Sequence, residues 1–247
     1  MKASANSPIR LGLLGAHGRM GQWVQKLVEG EFSSRFTLVS APLRGESLEP
    51  LLDCEVVIDF SLPEAMTSLA TLALTRASHS GGPELPVFVV ASTGWTREGE
   101  TVLSSLAQKT LLIASGNFST GVLALLEILK EASPLLRSLG YQAVVTETHH
   151  IHKKDAPSGT AKMILTALNP EAPASVPCHA IRGGEIIGDH SVTFYGKADH
   201  LVLSHSAQDR SLFARGALDV AGWLAQKRCD GVRAGRIEIR DYLIGRD

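Results

Sequence analysis

Ile9–Gln22 reads IRLGLLGAHGRMGQ: a short apolar run, a turn with glycines at 15, 18 and 21, then the start of a helical pattern. The G-x-x-G-x-x-G spacing is a variant of the dinucleotide fingerprint. It stands where that fingerprint is needed, in the first strand-to-helix crossover. The physical requirement is a tight turn that lets backbone N–H groups approach a pyrophosphate at a helix N-terminus. A glycine-rich turn without a ligand would show the same spacing, so the reading rests on what surrounds it.

Strand–helix alternation continues from that turn. FTLVSAP (Phe36–Pro42), CEVVIDFS (Cys54–Ser61), PVFVVAS (Pro86–Ser92) and LLIASG (Leu111–Gly116) are short and nearly continuously apolar, as strands covered on both faces must be. Met20–Glu29, Pro63–Ala77 and Thr96–Lys109 support the helices between them, and Pro63 with Glu64 makes a favourable first turn. The predicted fold is α/β, opening with an N-terminal Rossmann-type doubly wound parallel sheet.

Farther on, NFSTGVLALLEILKEASPLLRSLG (Asn117–Gly140) reads as a long helix, kinked or broken near Pro134. Beyond it the pattern changes. YQAVVTETH alternates, Gly159–Leu168 is helical, and extended segments between Pro177 and His205 suggest an antiparallel sheet. A helix over Ser211–Lys227 and an extended RIEIRDYL close the chain. A boundary near Ser119 is expected. It separates a dinucleotide-binding domain, 1–118, from a smaller α+β domain for substrate and oligomerisation, 119–223. The segment from about 224 to 247 is expected to pack back onto the first domain.

The chain has 247 residues, 44% hydrophobic and 20% charged, with a formal net charge of -1. That composition supports real cores and gives no general attraction to nucleic acid or to a membrane surface, so any anion recognition must be local. No apolar run approaches the roughly 20 residues of a membrane span, and MKASANSPIR lacks a signal-like apolar segment. Cys54, Cys178 and Cys229 are scattered and without metal-type spacing. A cytoplasmic protein without disulfides is the expectation.

The end of the second strand selects between nicotinamide dinucleotides: an acid there bonds the adenosine ribose, an arginine accommodates its phosphate. The run is SAPLRGE, with Leu43 before Arg44 and Glu46 shortly after. Arg44 is either a solvated loop charge or a phosphate partner, and Arg19 is a second cation on that side. The expected cofactor is NADPH in preference to NADH, with Glu46 a possible substitute acid.

Thr148–Thr160 reads THHIHKKDAPSGT, and three readings compete for it. A metal site is poorly served by contiguous histidines at a strand end, and Lys153 and Lys154 oppose a divalent cation. A polar surface loop is the plain alternative. The third reading takes in the next helix: Ala161, Ile164, Leu165 and Leu168 mark one face of it, which puts Ser158, Gly159 and Thr160 at its N-terminus, a ready anion site. Lys153 beside it offers charge or a proton, and His149 exchanges a proton near neutral pH.

Taken together, GAHGRMG, VVIDFSLPE, ASTGW, GNFSTGV, ETHHIHKKDAPSGTA, RGGEIIGDHSV and DRSLFARGAL make the chain resemble the dihydrodipicolinate reductase family over nearly its whole length. The resemblance implies nicotinamide-dependent reduction of 4-hydroxy-tetrahydrodipicolinate, a small dicarboxylate, to tetrahydrodipicolinate in the diaminopimelate route of lysine biosynthesis. It implies His149 as proton donor or acceptor, Lys153 as assisting donor, and His150, Gly159 and Thr160 as substrate-holding residues. On the cofactor side it implies the loop Gly15, Ala16, His17, Gly18, Arg19 and Met20, the loop Ala91, Ser92 and Thr93, and the segment Ser115, Gly116, Asn117 and Phe118. It further implies a homotetramer joined through the second-domain sheets; from the histidine run itself, no metal is expected. Two departures stand out: Leu43 occupies the place where the family commonly carries an acid, and the segment from Arg44 to Cys54 is short. A dinucleotide-binding regulator without chemistry would be expected to lack His149 or Lys153. A semialdehyde dehydrogenase would need a cysteine nucleophile in a recognisable motif.

Overall fold

Six short parallel strands, β1 (Ile9–Leu14), β2 (Phe36–Ser40), β3 (Val56–Asp59), β4 (Val87–Val90), β5 (Leu111–Ala114) and β10 (Gly235–Arg236), form one sheet in the order β10-β5-β4-β3-β1-β2. The structure is a computed structural model that describes residues 7–79 and 83–245. Alternation along each strand feeds two cores. Val56, Ile58, Val87, Val89, Leu111 and Ile113 face one side; Val57, Phe88, Val90 and Leu112 face the other. Helix α1 (Arg19–Glu29) covers the first side with Val24, Leu27 and Val28, together with Ala214, Ala217, Leu218 and Leu224 of α6 (Ser211–Cys229). Helices α2 (Pro63–Ala77) and α3 (Arg97–Ala107) cover the second with Met66, Leu69, Leu103 and Leu106. Burial on both faces is what the near-continuous apolar runs encode.

The chain divides into two compact units: Met1–Phe118 with Phe213–Asp247, and Ser119–Leu212. The chain therefore returns to the first unit at Phe213, earlier than the expected 224. The cause is the apolar face of α6, which belongs to the core of the parallel sheet. The closing RIEIRDYL is also not the extended piece expected. Only Gly235–Arg236 joins the sheet, and α7 (Ile239–Ile244) coils so that Tyr242 is buried beside Trp223.

The second unit holds helix α4 (Thr120–Ser138), strand β6 (Gln142–His149), helix α5 (Gly159–Leu168), and strands β7 (Cys178–Arg182), β8 (Asp189–Tyr195) and β9 (His200–Ser206), in sheet order β7-β6-β8-β9. Helix α4 runs through Pro134 as one element, so of the expected kink or break the break does not occur. Its apolar face, Val122, Leu123, Leu126 and Leu129, is buried ahead of the turn that Pro134 interrupts, and Ser133 Oγ donates to the Leu129 carbonyl at 2.5 Å. The sheet is mixed rather than antiparallel. β7 pairs parallel to β6 because α5 lies in the crossover between them, whereas β8 and β9 add antiparallel.

Candidate active site

In the parallel sheet, strand order reverses at β1, which lies between β2 and β3. In open α/β sheets that reversal marks the ligand crevice, outside the carboxyl ends of the strands. The sequence-predicted cofactor residues all lie beyond such ends: Gly15–Met20 after β1, Arg44 beyond β2, Ala91–Thr93 after β4 and Ser115–Phe118 after β5. Gly15 has φ +87°, and a methyl on it would come within 2.6 Å of the Phe60 carbonyl oxygen after β3. Helix α1 begins at Gly18 with no side-chain cap, which leaves its first amides for an incoming anion. The loop therefore fits a dinucleotide pyrophosphate.

Within these loops the residues divide by burial. His17, Gly18, Arg19, Arg44, Thr93 and Gly116 are exposed, whereas Ala16, Ser92, Asn117 and Phe118 are buried. The hydroxyl of Ser92 is committed inward, donating at 2.5 Å to Oδ2 of Asp59, which is fully buried at the end of β3. Oδ1 of Asp59 accepts from the Ser61 amide at 2.8 Å and the Ser61 hydroxyl at 2.5 Å. Burial raises the Asp59 carboxyl above its ordinary value despite these bonds from Ser61 and Ser92. Asp59 thus ties the loops after β3 and β4 together, a role that sequence reading missed although VVIDFS contains it. At the end of β2, Glu46 accepts the Leu43 amide at 2.7 Å, so its carboxylate closes the turn that carries Arg44.

The second unit gathers the remaining residues. Val145, Glu147 and His149 are buried on one face of β6, as the two-residue period predicts. The chain then turns through His150, Lys153 and Asp155 into the N-terminus of α5. There the Ser158 hydroxyl accepts from the Ala161 amide at 3.1 Å, capping the helix. Lys153 Nζ lies 2.8 Å from Asp155 Oδ1. Gly159 is exposed at the first helical position, with Thr160 next. His149, Lys153, Gly159 and Thr160 therefore belong to one short connection.

Three residues outside the predicted set complete this site. The fully buried Glu147 accepts the Ser158 amide at 3.1 Å on both oxygens, and Oε1 also accepts from Arg182 Nη2 at 2.9 Å. Its Oε2 lies 3.6 Å from His149 Nδ1 and 3.7 Å from His190 Nε2. The rings of His149 and His190 meet edge to face at 5.1 Å, and His190 Nε2 shares a hydrogen bond with the Ser158 hydroxyl at 3.2 Å. Glu147 carried a sequence signal, its spacing of two from His149 on the inward face. Arg182 and His190 arrive from β7 and β8; both lie in RGGEIIGDHSV, a motif that carries the resemblance, but nothing within that run ties them to the histidine loop.

The electrostatics come from burial and pairing. Burial pushes the Glu147 carboxyl up, but the bonds from Ser158 and Arg182 outweigh it and hold the group below the usual carboxylate value. Burial lowers His149, aided by the charges on Lys153 and Arg182 and opposed by Glu147 and Asp155. His190 is pushed down to about 4, by burial first and then by the charge on His149. Glu147, His149 and His190 place donor atoms within 4.8 Å of one another. The carboxylate is nevertheless already committed to the Ser158 amide and the Arg182 guanidinium, which opposes a cation there.

Comparison with known proteins bears on both units. The family model "Dihydrodipicolinate reductase, N-terminus" matches residues 9–118, and "Dihydrodipicolinate reductase, C-terminus" matches residues 121–242. The 4-hydroxy-tetrahydrodipicolinate reductase of Caulobacter vibrioides is 36% identical over 251 residues, covering 90% of this chain and 94% of the relative. That of Bdellovibrio bacteriovorus is 34% identical over 241 residues, covering 96% and 97%. Among solved structures, the dipicolinate-bound dihydrodipicolinate reductase from Paenisporosarcina sp. TG-14 shares the fold, with TM-score 0.69 and 20% identity over 94% of this chain and 97% of that one. With both halves matched and relatives aligned across most of its length, the chain belongs to the dihydrodipicolinate reductase family.

Proposed function

We propose that the chain reduces 4-hydroxy-tetrahydrodipicolinate to tetrahydrodipicolinate, at the expense of a nicotinamide dinucleotide, in the diaminopimelate route of lysine biosynthesis. One observation carries the chemistry: a buried histidine, a lysine and a capped helix N-terminus are gathered on one connection around Glu147. The reaction consumes a hydride and a proton and releases water. The nicotinamide supplies the hydride when bound.

On the cofactor side, the backbone of Gly15–Met20 binds the pyrophosphate at the uncapped start of α1. Ala91–Thr93 and Ser115–Phe118 supply the remaining contacts. Arg44 accommodates the adenosine phosphate, and Leu43 offers no carboxylate to the ribose, so NADPH is preferred over NADH. On the substrate side, Gly159 and Thr160 at the positive end of α5 hold a carboxylate, and His150 is a further substrate-holding residue. Ser158 serves this cradle indirectly: its hydroxyl satisfies the Ala161 amide, leaving the helix start to the ligand. His149 holds the exchangeable proton, and Glu147 stabilises the imidazolium that results when a dianionic substrate raises its proton affinity. Lys153 is the second donor.

Assembly and location complete the reading. Ile181, Tyr195 and Val202 lie on the face of the second sheet opposite Glu147 and are each about half exposed. That face supports association of copies into a homotetramer. No helix among the described residues is long and apolar enough to cross a membrane, and the enzyme acts in the cytoplasm on a small dicarboxylate.

The test is the loss of nicotinamide absorbance with substrate generated in place from pyruvate and aspartate semialdehyde, run with NADPH and NADH in parallel. Substrate-dependent oxidation, more efficient with NADPH, is expected. No oxidation with either cofactor, from protein that binds NADPH tightly, would overturn the assignment in favour of a binding protein without this chemistry.

A further inference from the structure

We infer that Glu147 and Arg182 are a positioning pair that aligns the two ends of the His149–Thr160 connection: the carboxylate orients His149 and anchors the start of α5, and the guanidinium fastens the loop that carries Lys153. The inference rests on the reading of that loop as the reductase site.

The contacts divide between the two side chains. Arg182 Nε donates to the Lys153 carbonyl at 3.3 Å, and Nη2 donates to the Asp155 carbonyl at 2.6 Å as well as to Glu147. One planar fork thus spans both ends of the Lys153–Asp155 segment, a geometry that a single ammonium cannot reproduce. Glu147 receives the Ser158 amide, so the N-cap residue that precedes the anion cradle is fixed to the same carboxylate. His149 Nδ1 is buried without a hydrogen-bond partner and has Glu147 Oε2 as its neighbouring acceptor at 3.6 Å. A carboxylate on that nitrogen fixes the tautomer, leaves Nε2 for proton exchange, and stabilises the imidazolium, as in other carboxylate–histidine pairs. Contacts of this kind tighten when substrate is held.

The groups facing His149 are Glu147 on β6, His190 on β8, Arg182 on β7, and Lys153 and Asp155 on the loop. Glu147 is the nearest anion, and replacing it with a neutral isostere leaves Lys153 and Arg182 acting on the imidazole.

The experiment compares wild type with Glu147→Gln, Glu147→Asp and Arg182→Lys. It uses steady-state kinetics across pH and the 15N chemical shifts of His149 as a function of pH, which need no turnover. Glu147→Gln is expected to lower kcat at least about 10-fold, to move the His149 titration to lower pH, and to change its tautomer ratio. Glu147→Asp is expected to recover part of each. Arg182→Lys is expected to raise the KM for substrate and to leave the His149 tautomer in place. An unchanged His149 titration in Glu147→Gln would overturn the inference, even where activity falls, because a purely structural loss leaves that signal alone. So would wild type that loses turnover on exhaustive chelation and regains it with Zn²⁺, since the carboxylate would then be a ligand. Wild type that turns over no substrate while showing the expected His149 response would overturn the reductase reading and leave the positioning pair standing.

Discussion

Gly15 and Phe60 are packed so closely that a methyl on the glycine α-carbon would meet the Phe60 carbonyl oxygen at 2.6 Å and its carbonyl carbon at 2.7 Å. These are backbone atoms of the neighbouring strand's exit and cannot swing aside. The glycine also sits at φ +87°, which costs a residue with a Cβ about 1–2 kcal/mol on its own. Gly15→Ala is therefore expected to pry the β1 and β3 exits apart at the crevice. Fluorescence titration with NADPH should show affinity reduced at least about 10-fold, which is only about 1.4 kcal/mol. Unaltered affinity and melting temperature would show that the loop yields more easily than its geometry implies.

Asp59 makes a second claim on the same crevice. Its two oxygens hold Ser61 and Ser92, one on each of two adjacent loops. Asp59→Asn keeps the volume and turns one of the two acceptors into a donor, leaving either the Ser61 pair or the buried Ser92 hydroxyl without its acceptor. A loss of about 1–3 kcal/mol per unsatisfied group is expected in urea unfolding, together with weaker NADPH binding. Stability lost without any change in NADPH affinity would confine Asp59 to a folding role.

How much of this could be read from the residues alone differs between the two units. The parallel sheet was legible because each of its central strands is buried on both faces, and an apolar run such as VVI or VFVV has few other uses. The mixed pairing of the second sheet was harder. Strand direction there is set by the α5 crossover between β6 and β7, not by any pattern within the strands. The helix through Pro134 and the coiled end around Tyr242 are cases where tertiary burial overrides a local signal. In the site, the short connection from His149 to Thr160 is contiguous in sequence and therefore legible. Arg182 lies 35 residues from Glu147, and only the pairing of β6 with β7 brings them together.

His190 should leave a mark on stability. Burial, together with the charge on His149, pushes it from the ordinary 6.5 down to about 4. Between these values the unfolded chain binds a proton that the folded chain does not. The contribution is therefore complete above about pH 6.5 and declines as pH falls toward 4. The interval corresponds to about 3 kcal/mol at most. Urea unfolding of wild type at pH 7 and pH 4.5 should show this loss, and His190→Gln should show a visibly smaller one. Equal losses in both proteins would assign the acid sensitivity to other groups.

His149→Ala tests the proton itself. Proton transfer belongs to the transition state, so kcat should fall by about 10²–10⁴-fold with the KM for substrate changed far less. Thr160→Val removes a hydroxyl from the cradle and should act in the opposite sense, raising KM more than it lowers kcat. Steady-state kinetics of the two variants side by side separate the roles, and identical profiles would merge them.

Gly159 offers the cleanest separation of binding from folding. A Cβ built there meets nothing within 4 Å, and its φ lies outside the left-handed region, so the fold gives no reason for glycine at this position. Glycine is a poorer helix former than alanine, by about 1 kcal/mol in a helix interior and by less at the first turn, where Gly159 lies. Gly159→Ala is thus expected to keep or slightly raise the melting temperature. If a carboxylate is held against the backbone at the α5 N-terminus, the added methyl occupies the space that the ligand approaches. Substrate KM should then rise at least about 10-fold, a loss near 1.4 kcal/mol, while NADPH affinity stays as in wild type. Unchanged substrate KM in a protein of normal stability would move the cradle away from this helix start, and Thr160 with it.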